Sequence, residues 1–124
     1  KIFGDGGQKR DYLHISDLTE ALLYAGISPA TDGGLYNCGY GESVEFKKMA
    51  ELVVKTVGSG SIEYVPWPEN YEKEETGDFE SDMSKFREAT GWVPETGLED
   101  GIARMYEYYI KYKENYIPDS EFKF

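Results

Sequence analysis

Apolar residues recur at intervals of three and four along four stretches of the chain, and this spacing predicts four amphipathic helices. A short polar residue precedes each stretch and can accept hydrogen bonds from the first free amide groups of a helix. These predicted N-caps are Asp17, Ser43, Asp82 and Thr96. Glu20 and Glu99 stand three residues after the first and last of them, which is the spacing of a capping box.

Three shorter stretches predict β-strands. Residues 10–15 alternate in polarity, so a strand there would place Arg10, Tyr12 and His14 on one face and mostly apolar side chains on the other. Residues 35–38 and 62–65 are short and largely apolar, as expected of strands. Together with the helices, these strands predict an α/β fold in a chain of 124 residues, the size of one small domain.

A glycine loop precedes the first predicted strand. Residues 4–7 read Gly-Asp-Gly-Gly, a sequence that can turn sharply with positive φ and lie close to a ligand. The guanidinium of Arg10 can donate two parallel hydrogen bonds to anionic oxygens and stays charged, so the loop and Arg10 together suit a phosphate. The alternative from the residues alone is a surface ion pair between Arg10 and Asp11, of a kind that contributes little.

The chain is strongly acidic, with 24 acidic and 13 basic side chains and a net charge of −11. This field opposes binding to nucleic acid or to an anionic membrane surface, although Lys9 and Arg10 can still attract a small anion. No apolar run is long enough to span a membrane, and no signal-peptide pattern is visible, so we expect a cytoplasmic location. With one histidine (His14) and one cysteine (Cys38), we expect no metal site and no internal disulfide.

Two segments lack the period of a helix or a strand. Residues 69–80 carry six carboxylates against the single Lys73, which is typical of a solvated loop. Their spacing fits neither a general acid/base pair nor a calcium loop. Residues 115–124 mix aromatic and charged side chains, and we expect them either to form a flexible tail or to dock on another surface.

Residues 3–18, FGDGGQKRDYLHISDL, resemble the C-terminal part of the nucleotide-sugar epimerase/dehydratase family, which belongs to the extended short-chain dehydrogenases. Three later segments resemble that family in the same order: YNCGYG at 36–41, SDMSK at 81–85 followed by GWVP at 91–94, and LEDGI at 98–102. Cys38 stands where an aliphatic residue is usual. Four motifs in register make the resemblance specific, and it covers the chain to about Tyr109.

The resemblance implies an NAD-dependent enzyme of two parts. An N-terminal Rossmann domain of the family holds NAD and a catalytic tyrosine–lysine pair, and a smaller C-terminal portion holds the diphosphate of the sugar nucleotide. We interpret residues 1–124 as a fragment comprising that second portion, a small mixed α/β substrate-binding subdomain. It is expected to bind no NAD, because its glycine loop leads into a predicted strand and not into a helix. It is expected to supply no catalytic residue, because the resemblance places the tyrosine–lysine pair upstream of Lys1. The intact enzyme is expected to be a homodimer that binds a nucleotide-diphosphate sugar.

Five residues are carried over as candidate substrate contacts. Arg10 resembles the diphosphate-binding arginine of the family, Tyr12 follows on the same predicted strand face, and Phe3 corresponds to the segment along the base. The family often has a second arginine before its closing helix, and the corresponding loop of this chain has none. Lys73 is the candidate replacement as a point charge, and Glu75 is a candidate acceptor of hydrogen bonds from a ribose or base.

Two other hypotheses stay open at this point. The missing second arginine is consistent with a non-catalytic relative that keeps the fold as a binding or regulatory module. An independent acidic protein-interaction domain is the third hypothesis, and it predicts a stable chain without a ligand cleft.

Overall fold

The computed structural model describes residues 1–116, apart from the side chain of Glu72. This part of the chain contains the helices α1 (Ile15–Ile27), α2 (Phe46–Val57), α3 (Ser84–Thr90) and α4 (Leu98–Lys111). Its strands are β1 (Ile2–Phe3), β2 (Lys9–Asp11), β3 (Ser43–Glu45) and β4 (Tyr64–Val65). Short 3₁₀ turns span Pro29–Thr31, Tyr71–Lys73 and Lys113–Asn115. From position 117 onward, the tail predicted at 115–124 lies outside the described residues.

The strands form two small sheets, and the predicted α/β fold class is confirmed. β1 pairs in parallel with β4, with Phe3 opposite Val65. β2 pairs antiparallel with β3, with Arg10 opposite Val44. Because β3 runs directly into α2, this second pairing fixes Arg10 beside the start of that helix.

The strand predicted over residues 10–15 is wrong beyond Asp11, because α1 already begins at Ile15. His14 is the N-cap of α1, and its ring accepts a hydrogen bond from the amide of Ser16 at 3.3 Å. Asp17, predicted to be the cap, lies inside the first turn of the helix. The polar face predicted from strand alternation therefore does not extend past β2.

Asp17 instead joins α1 to the segment that precedes α4. Its carboxylate accepts hydrogen bonds from the amides of Glu95 and Thr96 at 3.0 and 2.8 Å and from the hydroxyl of Thr96 at 2.7 Å. Glu20 accepts a hydrogen bond from the indole Nε1 of Trp92 at 2.9 Å. Both predicted capping boxes are therefore wrong, because their members form hydrogen bonds to distant parts of the chain.

The start of α2 is satisfied by backbone and not by a side-chain cap. Ser43, predicted to be that cap, is the first residue of β3. The amides of Phe46 and Lys47 donate to the carbonyls of Gln8 and Gly6, both at 2.9 Å. Gly6 of the glycine loop and the adjacent Gln8 thus supply acceptors for the first amides of the helix.

The core lies where α1, α3 and the segment after α3 meet. Ala21, Phe86 and Trp92 are buried together, and the rings of Tyr36 and Trp92 each lie 5.7 Å from that of Phe86. Residues 35–38, predicted to be a strand, form none in the described structure. Tyr36 and Cys38 pack against this core from an irregular segment instead.

The opposite side of α1 is apolar and exposed. Ile15, Leu22, Leu23 and Ile27 are 67%, 65%, 62% and 75% exposed. Their spacing along the helix places them on one face. A contiguous exposed apolar face of this kind is typical of a surface that another body covers.

Candidate ligand-binding site

The glycine loop leaves β1 in a conformation that glycine adopts easily and other residues do not. Gly4 has φ of 66°, and a Cβ atom there would lie 2.5 Å from Nε1 of Trp67. Gly6 also has φ of 66°, and a Cβ atom there would lie 2.9 Å from Cγ2 of Ile2. The loop therefore turns tightly between Trp67 and α2, as the sequence predicted for these glycines.

The guanidinium of Arg10 is fixed on β2 by three hydrogen bonds. Its Nη1 donates to the carbonyls of Lys9 at 2.8 Å and Gly77 at 2.6 Å. Its Nη2 donates to Oε1 of Glu75, and the two side chains form an ion pair. They are 29% and 22% exposed, so the pair is largely shielded from water. Since a guanidinium has five N–H donors, two of them have no recorded partner among residues 1–116.

Asp11 belongs to a separate network. Its carboxylate accepts hydrogen bonds from the amides of Tyr40 at 2.7 Å, Gly41 at 3.0 Å and Ser81 at 3.1 Å. The alternative of an ion pair between Arg10 and Asp11 is therefore wrong, because Glu75 pairs with Arg10 and backbone amides occupy Asp11.

Residues 75–81, here called the strap, lie along the edge of β2 that faces away from β3. The amide of Lys9 donates to Asp78 at 2.8 Å, and the amide of Phe79 donates to the carbonyl of Lys9 at 3.1 Å. Glu80 accepts from the amide and hydroxyl of Ser43 at 3.0 and 2.8 Å, and these bonds hold its pKa below the ordinary value. The acidic segment is thus bonded to both strands where the sequence predicted only a solvated loop.

An aromatic pair flanks the glycine loop on its other side. Phe3 ends β1 and lies against Trp67, with ring centroids 5.7 Å apart and planes inclined by 38°. Phe3 remains 38% exposed to solvent. Such a pair can receive a flat group such as a nucleobase, since aromatic rings favour offset or edge contacts with each other.

The structure places Tyr12 outside the Arg10 network. Its ring lines a mostly apolar cavity of about 170 Å³ together with Met49 of α2 and Ile102 of α4. The Tyr12 hydroxyl is buried and has no hydrogen-bond partner among the described residues. Burial raises the pKa of this phenol, and the nearby charge of Arg10 opposes the shift.

Of the five candidate residues, the structure brings Arg10 and Glu75 into contact and leaves the others apart. Phe3 lies at the start of the glycine loop, and Tyr12 faces its own cavity. Lys73 is exposed at the end of its 3₁₀ turn and is not among the recorded partners of Arg10.

Sequence reasoning missed two residues that shape this site. Trp67 lies between two prolines, which predict a fixed extended segment. No feature of the neighbouring sequence indicates that it contacts Gly4. Asp78 directly follows Gly77, which is a turn signal, yet its partner Lys9 is 69 positions away. Both contacts join segments that are more than 60 positions apart, which a linear pattern does not relate.

The glycine loop differs from the turn that binds a dinucleotide. The glycine loop leads into β2, and the carbonyls of Gln8 and Gly6 already accept from the first amides of α2. A dinucleotide pyrophosphate needs such amides free at the start of a helix. Within the same residues, no group of three His, Cys, Asp or Glu side chains is placed to hold a metal ion. None of the helices described there is long and apolar enough to cross a membrane.

Comparison with known sequences gives one consistent family. Residues 1–39 match the model of the NAD dependent epimerase/dehydratase family. The chain is 33% identical over 100 residues to ADP-L-glycero-D-manno-heptose-6-epimerase of Alkalilimnicola ehrlichii, a match that covers 81% of this chain and 31% of the relative. It is 31% identical over 112 residues to UDP-glucose 4-epimerase of Mycolicibacterium smegmatis, covering 88% of this chain and 34% of the relative. The chain thus spans about a third of the length of these curated relatives.

The fold agrees with these sequence matches. The structure is similar to that of UDP-glucose 4-epimerase with UDP-glucose from Thermotoga maritima, with a TM-score of 0.78 and 28% identity. The match covers 90% of this chain and 35% of the chain it resembles. Both kinds of comparison therefore relate nearly the whole chain to a part of a larger epimerase.

Proposed function

Because this chain belongs to the NAD-dependent epimerase/dehydratase family, we propose that it is the substrate-binding portion of a nucleotide-sugar epimerase or dehydratase. One relative is named for an ADP-linked heptose and another for UDP-glucose, and a similar structure contains UDP-glucose. The proposed ligand is a nucleoside-diphosphate sugar. Since the chain spans 31% and 34% of those relatives, NAD binding and the chemistry at the sugar are assigned to a part of the protein outside these residues.

The geometry of Arg10 carries this proposal. Its guanidinium sits on a paired strand beside a tight glycine loop, and carbonyl oxygens of Lys9 and Gly77 fix its orientation. Two N–H donors lack a recorded partner in the described part of the chain, and a guanidinium can bind phosphate oxygens through two parallel hydrogen bonds. Arg10 is therefore the proposed anchor of the diphosphate.

The aromatic pair extends the proposed site from the diphosphate to the base. Phe3 and Trp67 flank the loop that leads to Arg10, so a nucleotide could lie along the loop with its base against the rings. Holding an unreacting part of the substrate in this way positions the reacting sugar for groups elsewhere in the protein. Roles for Tyr12 and Lys73 in contacting the ligand remain predictions.

The exposed face of α1 supports the assignment to a larger protein. Leu22 and Leu23 are more than half exposed, and Ile15 and Ile27 continue the same face. We propose that the part of the enzyme that binds NAD covers this face. A homodimer, a cytoplasmic location and inactivity of the isolated chain are further predictions of the same proposal.

Substitution of Arg10 tests the anchor. In the full-length protein, Arg10→Ala should weaken binding of UDP-glucose or an ADP-sugar by about 1.5–3 kcal/mol, the range for a charge-assisted hydrogen bond. The matched control is Arg104→Ala, which removes the same charge from an exposed i,i+4 pair with Asp100 on α4. Isothermal titration calorimetry measures both. If Arg10→Ala binds like the wild type, the anchor is assigned to the wrong residue.

A second candidate function is favoured by the partner of Arg10. Glu75 neutralises the guanidinium, and the loop lacks the second arginine that the family often has, as expected of a relative that has lost catalysis. NMR of the full-length protein with NAD and UDP-glucose distinguishes the two. Epimerised or dehydrated sugar identifies an enzyme, whereas saturable binding without turnover of any sugar nucleotide tested identifies a binding module.

A further inference from the structure

Glu75 is bonded to the Arg10 guanidinium, which is the group that we propose binds the diphosphate. Its Oε1 accepts from Nη2 of Arg10 and also from the amide of Gly77 at 3.1 Å. A carboxylate and a phosphate present anionic oxygens to a guanidinium in the same manner. Building on the proposed function, we propose that Glu75 is a built-in competitor, so that a diphosphate binds Arg10 in full only when Glu75 leaves.

Electrostatics explain why the two anions exclude each other. The Arg10–Glu75 pair is largely shielded from water, so a phosphate placed beside Glu75 meets a like charge that solvent screens weakly. Asp78 and Glu80 of the same strap add negative charge along β2 and β3. Replacement of Glu75 by the ligand removes the nearest of these charges from Arg10.

The rest of the strap can stay in place while Glu75 moves. Phe79, Glu80 and Ser81 bond to Lys9, Ser43 and Asp11 without any contribution from Glu75. Gly77 separates Glu75 from this fixed part. It has φ of 76°, and glycine adopts a wide range of backbone angles, so a rotation at Gly77 can move Glu75. The proposed displacement is therefore local.

Removal of the Glu75 charge tests the competitor. Glu75→Gln keeps the size of the side chain, and Glu74→Gln is the matched control because it removes the same charge one residue earlier, from a side chain outside the Arg10 contacts. Inorganic pyrophosphate and UDP are titrated into the full-length protein at fixed ionic strength. We expect E75Q to bind both about five- to thirty-fold more tightly than the wild type, because a competent state that is rarely populated lowers apparent affinity in proportion. E74Q should change affinity by less than about twofold, as a screened surface charge does.

Hydrogen exchange gives a readout that does not depend on affinity. Pyrophosphate should accelerate exchange of the Gly77 amide in the wild type, because its acceptor on Glu75 leaves. The Phe79 amide should stay protected by the carbonyl of Lys9. Unchanged exchange at Gly77 under saturating pyrophosphate would contradict displacement.

The outcomes separate this inference from the function on which it rests. If E75Q binds no more tightly than the wild type while Arg10→Ala still weakens binding, Glu75 is not a competitor and the proposed function stands. If E74Q gains as much as E75Q, general charge and not the contact is responsible, and the inference fails. If Arg10→Ala has no effect on affinity in the wild type or in E75Q, the proposed function and the inference both fail.

Discussion

Asp17 joins α1 to the segment that precedes α4. Its substitution tests the scaffold that presents Arg10. The residue is 5% exposed, and its carboxylate accepts from the amides of Glu95 and Thr96 and from the Thr96 hydroxyl. Asp17→Asn removes the charge and turns one acceptor into a donor that faces these N–H groups. A buried donor left without an acceptor costs about 1–3 kcal/mol. The remaining amide oxygen of the new side chain can still accept some of these hydrogen bonds. We therefore expect the free energy of unfolding to fall by about 2–4 kcal/mol in total.

Urea unfolding of the full-length protein measures this loss. Trp92 packs on Phe86 in the core, so the NMR signal of its indole N–H reports on the unfolding of this part of the chain. Asp100→Asn is the matched control, since Asp100 is exposed and forms a single surface pair with Arg104. The control should change stability by no more than about 0.5 kcal/mol.

The pH dependence of stability supplies a second check on Asp17. Burial raises its pKa, but the hydrogen bonds from Thr96, Glu95 and Ser16 together outweigh burial, so the pKa lies below the ordinary value of 3.8. The unfolded state therefore binds this proton more readily than the folded state. The resulting stabilisation is fully present above about pH 3.8 and is lost as the pH falls through the folded pKa. Asp17→Asn should lack this component. A loss no larger than that of the control, with an unchanged acid slope, would refute the assignment.

Two further experiments examine the loop and the exposed helix. Gly4→Ala should lower the free energy of unfolding by at least about 1 kcal/mol and alter Trp67 fluorescence, because φ is 66° and the new Cβ would meet the indole. The control Gly26→Ala has open space around it and should leave stability unchanged or raise it. The isolated chain should self-associate through the apolar face of α1, and Leu22→Asp with Leu23→Asp should shift it toward monomer in sedimentation velocity. A monodisperse wild-type monomer would contradict that role of the face.

The helices could be predicted from the sequence because their signal is local. The three- and four-residue spacing of apolar side chains in α2 and α4 is a property of a single segment, and both helices form close to the predicted positions. Their caps could not be predicted in the same way. Thr96 has the spacing of a capping box with Glu99, but Asp17 offers it a buried carboxylate from a distant helix.

In the candidate site, too, the local features could be predicted and the distant contacts could not. Arg10 could be identified because it follows a glycine loop, and both features lie within a few residues of each other. Its partner Glu75 is 65 positions away in an acidic segment whose composition alone is typical of a solvated loop. The hydrogen bonds that hold the strap to Lys9 and Ser43 place Glu75 at the guanidinium, and the linear sequence does not indicate them.

The charged residues of the stretch around β2 therefore serve two separable purposes. The carboxylates of Asp11 and Asp17 accept hydrogen bonds from backbone amides of distant segments. Arg10 is paired with a side chain on a turn, so its partner can be exchanged for a ligand without breaking the β2–β3 pairing. It follows that loss of either aspartate should act on stability first, whereas loss of Arg10 or Glu75 should act on affinity first. A measurement of both quantities on the same variants distinguishes a scaffold that carries an exchangeable anion site from one whose ion pair is only structural.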